Sequence, residues 1–308
     1  MLHENLLHVI GQTPLVRIHF PVPCRIYAKL EHLNPGGSIK DRSALFMIEQ
    51  AEQDGRLKPG GTIIEASSGN QGASAAMIGA IKGYKVIITA SKKVSEEKRA
   101  TLKAYGAEVI ECKPTTFLDD PENYHKRALE IHKNTPNSIM LNQYFNPENS
   151  QAHYESLGPD LWQQTQGKIT HFIAGAGSCG TVSGAGKYLK EHNQAIKIFG
   201  VDSVNSYRAT KGNPQPYVLE GMGIDYDTPL LDKTVIDDFL LVKDDDSIAM
   251  LKTLARKHGV LVGPASGGVA QATYQYALQN ASQLRQDAVI VMLFGDSGRS
   301  YLTKGFYD

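Results

Sequence analysis

The 308-residue chain carries little cysteine, a single tryptophan and no net charge. Its three cysteines, Cys24, Cys112 and Cys179, are odd in number and far apart, which excludes a disulfide framework and fits a reducing cytosol. With 32 Lys and Arg against 32 Asp and Glu, the electrostatic footprint of a nucleic-acid or membrane-surface binder is missing. No window approaches the roughly 18 consecutive apolar residues of a membrane span. The N-terminal MLHENLLHVIGQTP has neither the basic flank nor the apolar stretch of a signal peptide. The ten histidines form no H-E-x-x-H pattern and the cysteines no C-x-x-C, so no protein-bound metal is expected. A G-x-S-x-G elbow and a Walker A lysine are absent too. What remains is a soluble, cytoplasmic globular protein. At 41% hydrophobic and 21% charged it can fill a sizeable core, and its length suggests about two domains.

What is present is alternation. Short β-branched runs at 27–31, 62–66, 84–90, 107–112, 169–174, 197–202, 235–242 and 288–293 predict strands. Segments of helical period at 38–55, 70–83, 95–106, 120–133, 150–166, 180–192, 245–258 and 266–281 separate them. Ser38 and Ser95 are expected as helix caps, and Asp120-Pro121 as a helix start. Residues 203–225 show scattered Gly, Pro and Tyr without a period and read as a long functional loop. Strands such as TIIEA and AVIVML are apolar without alternation, as parallel strands buried on both faces are. The fold class is therefore α/β: two parallel-sheet layers meeting closely, with a site in the cleft between them.

Chemistry concentrates in glycine-punctuated turns. In NPGGSIKDRSA (34–44), Lys40 lies near the start of a helix with Arg42 two residues on; both surroundings lower an amine's pKa and suit a nucleophile. The competing reading is a solvated lysine in a surface K-D-R run. In EASSGNQGASAA (65–76), a strand enters Ser67-Ser68-Gly69-Asn70-Gln71-Gly72 and then a helix. That arrangement holds a carboxylate or phosphate, unless Ser and Asn merely cap. In HFIAGAGSCGTVSGAGKYL (171–189), a turn without lysine or arginine would hold phosphate through backbone N–H groups, the hydroxyls of Ser178 and Thr181, and the helix dipole. The same turn satisfies G-x-G-x-x-G, with Asp202 ending the next strand, so a nicotinamide-dependent dehydrogenase is a second reading. VGPASGG (262–268) and FGDSGRSYLTK (294–304) lie at strand ends where ligands bind in open sheets, or are ordinary capped turns. Cys179, within its glycine turn, reads as a small buried thiol.

Taken in order, these segments resemble the fold-type-II pyridoxal-phosphate enzymes of the cysteine synthase and cystathionine β-synthase family. The likeness runs through IGQTPLVRI (10–18), KLEHLNPGGSIKDR (29–42), EASSGNQG (65–72), LNQYFNPEN (141–149), GAGSCGT (175–181), EGMGIDY (220–226) and VGPASGG. LNQY, AHY (152–154), LEGMGID and DSGRSYLTK are more similar to cystathionine β-synthases than to ordinary cysteine synthases. The resemblance implies a tryptophan synthase β-like fold with a large cofactor lobe (1–39 and 145–308) and a smaller, mobile substrate lobe (40–144). It implies that Lys40 holds pyridoxal 5'-phosphate covalently and that Asn70 bonds its ring oxygen. Gly177, Ser178, Cys179, Gly180 and Thr181 would hold its phosphate. Ser67, Ser68, Gly69, Asn70 and Gln71 would clamp the substrate carboxylate with Gln143, and the same likeness removes the nicotinamide reading.

Three departures from the family pattern stand out. Cys179 replaces a glycine, Gln71 replaces a threonine, and the hydroxyl that faces the pyridine nitrogen aligns with Ala265, leaving Ser266 as the nearest serine. The implied reaction is β-replacement on L-serine or O-acetyl-L-serine by a thiol, L-homocysteine giving L-cystathionine. Sulfide giving cysteine is the alternative, and a serine or threonine dehydratase a more remote one. A homodimer acting on small molecules is expected, without the haem extension or regulatory domains that larger relatives carry.

Overall fold

Strands that are largely apolar without alternation are covered on both faces, and among the described residues the chain builds two sheets with such strands at their centres. The computed structural model describes every residue except 1, 68, 93–95, 114, 116–119, 121 and 225. In chain order the elements are β1 (Leu15–Ile18), β2 (Arg25–Leu30), α1 (Lys40–Gln53), β3 (Thr62–Glu65), α2 (Asn70–Lys82), β4 (Lys85–Ser91), α3 (Glu96–Ala104), β5 (Glu108–Cys112), α4 (Tyr124–Asn134) and β6 (Ser138–Met140). There follow α5 (Glu148–Glu155), α6 (Leu157–Gln164), β7 (His171–Gly175), α7 (Gly180–His192), β8 (Lys197–Ser203), β9 (Asp238–Val242), α8 (Asp244–His258), α9 (Pro264–Gln279) and β10 (Val289–Phe294).

The chain divides into two compact units, one of residues 1–10 and 34–148 and the other of 11–33 and 149–308. The expected grouping placed 1–39 with 145–308. In the structure residues 1–10 join the smaller unit, where Leu7 and Ile10 pack on the core around Met47, Ile63 and Met77. Residues 34–39 join it too, because they form the turn that starts α1: the Gly36 N–H donates to Asp41 Oδ2 at 2.6 Å.

Among the described residues the smaller unit holds a four-stranded sheet in the order β5-β4-β3-β6, parallel throughout. Strand β3 and the middle of β4 are fully buried, whereas the edge strand β5 is buried only at Cys112. Helices follow their local signals. Gly83 ends α2 in the left-handed conformation that favours glycine, and Asn123 caps α4 by accepting the His125 N–H at 2.8 Å. The helix expected from Asp120-Pro121 thus starts at Tyr124; Pro121, like the expected cap Ser95, lies outside the described residues.

The larger unit holds a six-stranded sheet in the order β1-β2-β10-β7-β8-β9. It is not purely parallel, because the edge strand β1 runs antiparallel to β2. Neither β1 nor the three-residue β6 stands out in the sequence, being short edge strands with little burial pattern. The single helix expected at 150–166 is two, broken at Ser156. Pro159 explains the break: it offers no N–H to a carbonyl four residues back, and its ring suits a first turn. The core of this unit gathers Ile26, Ile173, Val201, Val269, Ile290 and Phe294. Residues 204–237 between β8 and β9 hold no helix or strand among those described.

The strand orders point to where ligands belong. In an open α/β sheet the crevice forms where successive connections leave to opposite sides, beyond the carboxyl ends of the strands. In the smaller sheet that switch lies between β3 and β6. In the larger it lies between β7 and β10.

Candidate active site

At the switch of the smaller sheet, β3 ends at Glu65 and the chain passes through 66–69 into α2, whose first residue is Asn70. Gly72 is required in that first turn, because a Cβ there would overlap the Ser67 carbonyl oxygen. Ser67 Oγ accepts the Gly69 N–H at 3.3 Å, which folds the turn on itself. The first N–H groups of a helix have no intrahelical partner, so this turn presents donors and a positive dipole end to an anion. From β6 the chain enters the Asn142-Gln143 loop, and Glu65 ties the two together: its Oε2 accepts the Asn142 N–H at 2.8 Å. Asn142 has a positive φ of 52° and its Oδ1 lies 3.0 Å from His125 Nε2.

Lys40 is the first residue of α1, half-buried, with its N–H donating to Ser38 Oγ at 3.2 Å. The surface-run reading of K-D-R fails on burial, since Asp41 is 0% and Arg42 5% exposed. Asp41 is structural: besides Gly36 it accepts the Ser74 hydroxyl, tying α1 to α2. Lys40 instead has Glu65 as an electrostatic neighbour. Burial pushes the Glu65 carboxyl up to about 7, against the opposing pull of the Asn142 and Gln143 backbone N–H groups and the Lys40 charge. A carboxyl that titrates near neutrality beside an amine is able to exchange protons with its surroundings.

At the switch of the larger sheet, β7 leads through 176–179 into α7. Cys179 has φ 67° and immediately precedes the helix, and left-handed residues in such turns let successive backbone N–H groups form an anion-binding concavity. Gly180 admits no side chain, because a Cβ there would overlap Asn149. The hydroxyls are held from α5: Asn149 Nδ2 donates to Ser178 Oγ at 3.2 Å, and His153 Nε2 lies 3.1 Å from Thr181 Oγ1. Thr228 Oγ1 donates to the Ser178 carbonyl at 3.2 Å. Arg208, from the long 204–237 segment, reaches the same turn. It donates to Cys179 Sγ at 3.3 Å and to the Ala176 carbonyl at 3.4 Å, and is ion-paired with Asp202. That pairing disposes of the dinucleotide reading, which needs Asp202 free for a ribose; here it is fully buried.

Of the sequence-derived candidates, Lys40, Ser67, Gly69, Asn70, Gln71 and Gln143 fall in the smaller unit and Gly177 to Thr181 in the larger. Ser68 lies outside the described residues. Gln71 is buried, with its Oε1 accepting from Ser43 Oγ at 3.3 Å, so its side chain lies against α1. Ser266 is buried on α9 and its Oγ accepts the Gly295 N–H at 3.1 Å, while the neighbouring Ala265 is half-buried. Sequence reasoning missed Glu65, Asn149, His153 and Arg208. The first three sit inside quoted motifs and were within reach; Arg208 carries no local signal. Lys29 and Glu31, from the same K-L-E signature as Lys40, are fully buried supports: Lys29 Nζ donates to the Thr13 carbonyl at 2.6 Å and Glu31 accepts the Thr13 hydroxyl.

A cavity of about 680 Å³ lined by Arg25, Thr170, His171, Lys197, Tyr276 and Arg285, among others, lies at the amino ends of β2, β7 and β8, the wrong end for this sheet type. Among the described residues no helix is long and apolar enough to cross a membrane, and no group of three or more His, Cys, Asp or Glu could hold a metal ion.

Known proteins match this arrangement. Residues 6–296 match the family described as pyridoxal-phosphate dependent enzyme. The chain is 42% identical over 309 residues to cystathionine β-synthase of Apis mellifera, covering 97% of this chain and 60% of that protein. It is 37% identical to cysteine synthase of Staphylococcus aureus strain N315, over 99% and 97% of the two. The solved O-acetylserine-dependent cystathionine β-synthase from Helicobacter pylori superposes with a TM-score of 0.90 at 34% identity over 100% of both chains. A hydrogen sulfide-producing enzyme from Fusobacterium nucleatum superposes at 0.91 with 37% identity, over 98% and 99%.

The residues fit the cofactor those matches imply. Its aldehyde needs a primary amine on a rigid element, which Lys40 provides at the head of α1. Its phosphate needs a cradle of donors with room for oxygen atoms, which the side-chain-free Gly177 and Gly180, the buried Ser178 and Thr181 hydroxyls and the head of α7 provide. With these matches over nearly its whole length, and with groups suited to the cofactor's aldehyde and to its phosphate, the chain belongs to the fold-type-II pyridoxal-phosphate dependent enzymes.

Proposed function

We propose that this chain catalyses β-replacement on L-serine or O-acetyl-L-serine by L-homocysteine, giving L-cystathionine. The observation that carries the reading is the Lys40 amine at the head of α1, with buried Glu65 as its electrostatic neighbour and the 67–72 turn in the same unit. Pyridoxal phosphate, when bound, supplies an electron sink for charge developing at the substrate α-carbon.

The chain's own residues do the rest. Lys40 Nζ holds the cofactor at rest, then takes the substrate α-proton and returns it at the end. Ser67, Ser68, Gly69, Asn70 and Gln71 bind the substrate carboxylate at the head of α2, with Gln143 from the loop that Glu65 anchors. Asn70 is assigned to the cofactor's ring oxygen, Gly177 to Thr181 to its phosphate, and Ser266 to its pyridine nitrogen. The 67–72 turn, closed over the carboxylate, excludes water that would divert the reaction to pyruvate. Cysteine usage supports a cytoplasmic setting, and light scattering tests the expected homodimer.

Sulfide as the thiol, giving cysteine, is the second reading. It is favoured by the cysteine synthase of Staphylococcus aureus, which the chain matches over nearly its whole length. A two-by-two assay of both donors against both thiols separates the two. Higher kcat/KM for homocysteine with either donor supports the proposal; sulfide leading with both donors overturns it in favour of a cysteine synthase. Pyruvate released from serine alone at a comparable rate would mark a dehydratase instead.

A further inference from the structure

We propose that Arg208 is the positioning residue of the phosphate-binding turn, bracing a conformation that a glycine at position 179 would adopt unaided. This rests on the reading that residues 177–181 hold the cofactor phosphate. The turn before α7 needs a residue in the left-handed region, and Cys179 occupies it at φ 67°. For residues other than glycine and, at times, Asn or Asp, a Cβ makes that region unfavourable, so contacts that hold the Cys179 backbone there offset a cost. Two contacts from one side chain do so. The Arg208 guanidinium donates through Nη2 to Cys179 Sγ at 3.3 Å and through Nη1 to the Ala176 carbonyl at 3.4 Å, on either side of Gly177 and Ser178.

The guanidinium is itself fixed. Nη1 is paired with the Asp202 carboxylate, which is buried at the end of β8 and accepts the Ser203 N–H at 2.8 Å. The guanidinium carbon also lies 4.8 Å from the centroid of the Phe239 ring. A planar fork whose Nη1 serves both the Asp202 carboxylate and the Ala176 carbonyl while Nη2 reaches the Cys179 sulfur is a rigid brace, which a lysine could not reproduce. Arg208 Nε is buried and, among the described residues, has no hydrogen-bond partner, so the side chain accepts a polar cost to make these contacts. Because Asp202 balances its charge, the role is geometric: Arg208 keeps the N–H groups of 177–181 convergent. It also ties the 204–237 segment to the cofactor's anchor.

The test is cofactor affinity, read apart from turnover. The full-length protein is stripped of cofactor, then titrated with pyridoxal phosphate and with pyridoxal, which lacks the phosphate. Arg208→Gln is expected to weaken pyridoxal phosphate about tenfold, equivalent to about 1.4 kcal/mol, and pyridoxal less than twofold. The same change made in a Cys179→Gly chain is expected to cost less than threefold, because glycine no longer needs the brace. Arg208→Lys should fall between, and it serves in place of the glutamine variant if that one does not fold. An unchanged preference for the phosphorylated form, or an equal loss in both backgrounds, overturns the proposal. Ser178→Ala combined with Thr181→Val tests the underlying reading separately. If that pair lowers the preference while Arg208→Gln does not, the turn binds phosphate and only the brace is wrong. If neither lowers it, the phosphate assignment itself fails.

Discussion

The lysine turn of the smaller unit and the turn of the larger unit proposed to hold phosphate use opposite materials. At the first, chemistry resides in side chains whose charge states matter: Lys40, with the Glu65 carboxyl raised to about 7 as its electrostatic neighbour. At the second, the groups proposed to work are backbone N–H donors, and Asn149, His153 and Arg208 contact the side chains of the same turn. A group that must gain and lose protons needs a tunable pKa, whereas a group that holds a permanent dianion needs fixed dipoles that neither move nor titrate. The two sites should therefore break differently, the first by loss of function and pH response, the second by steric change.

The largest break is Lys40→Ala, which should abolish the borohydride-sensitive visible absorbance and lower turnover by about a thousandfold or more. Wild-type turnover in that variant would remove the lysine from the mechanism. Next comes Glu65→Gln. The folded-state carboxyl sits at about 7 against an ordinary 4.5, so between those values the native protein binds more protons than the unfolded chain. This group's contribution is fully present below pH 4.5 and is lost as pH rises through 7, an effect on the order of 3 kcal/mol. Denaturant midpoints measured from pH 5 to 8 should show that slope in the wild type and lose it in Glu65→Gln. Parallel curves would mean that Glu65 does not titrate there.

Asp41→Asn should cost about 2–3 kcal/mol by setting an amide against the Gly36 N–H, seen as a lower urea midpoint. A loss under 0.5 kcal/mol would show the carboxylate to be dispensable. Smallest, and sharpest for the contrast, is a pair at the phosphate site. Gly180→Ala should destabilise by about 1–3 kcal/mol through overlap with Asn149, and Ser178→Ala by about 1 kcal/mol. The reverse order would make the hydroxyl, not the backbone, the principal element of that site.

Much of this was legible in the chain. Helix α7 starts at Gly180 and ends at His192 as read, because a glycine turn, a β-branched strand and a helical period agree there. Both turns proposed to bind anions lie between a strand end and a helix start, as glycine punctuation predicted, and Lys40 heads a helix. Edge strands β1 and β6 escaped because short edges have few buried positions and hence little periodicity. The break at Ser156 was legible in Pro159 and overlooked. Glu65 looked like one polar residue closing an apolar strand; only the strand order β3-β6 sets it against the Asn142 N–H. Arg208 was invisible because its partners are 6, 29 and 32 residues away along the chain.

By itself the sequence determined the α/β class, the family and where the strand-to-helix turns fall, because glycine at a left-handed or crowded position and the apolar run of a buried strand are properties of adjacent residues. The tertiary structure alone decided which polar residues became supports and which remained reactive. Lys29 and Lys40 lie in one signature, yet one is buried on carbonyls as a strut and the other stands half-open beside Glu65. Burial and the identity of neighbours set the charge state and reach of an amine, and neither is written in the residue's own stretch of chain.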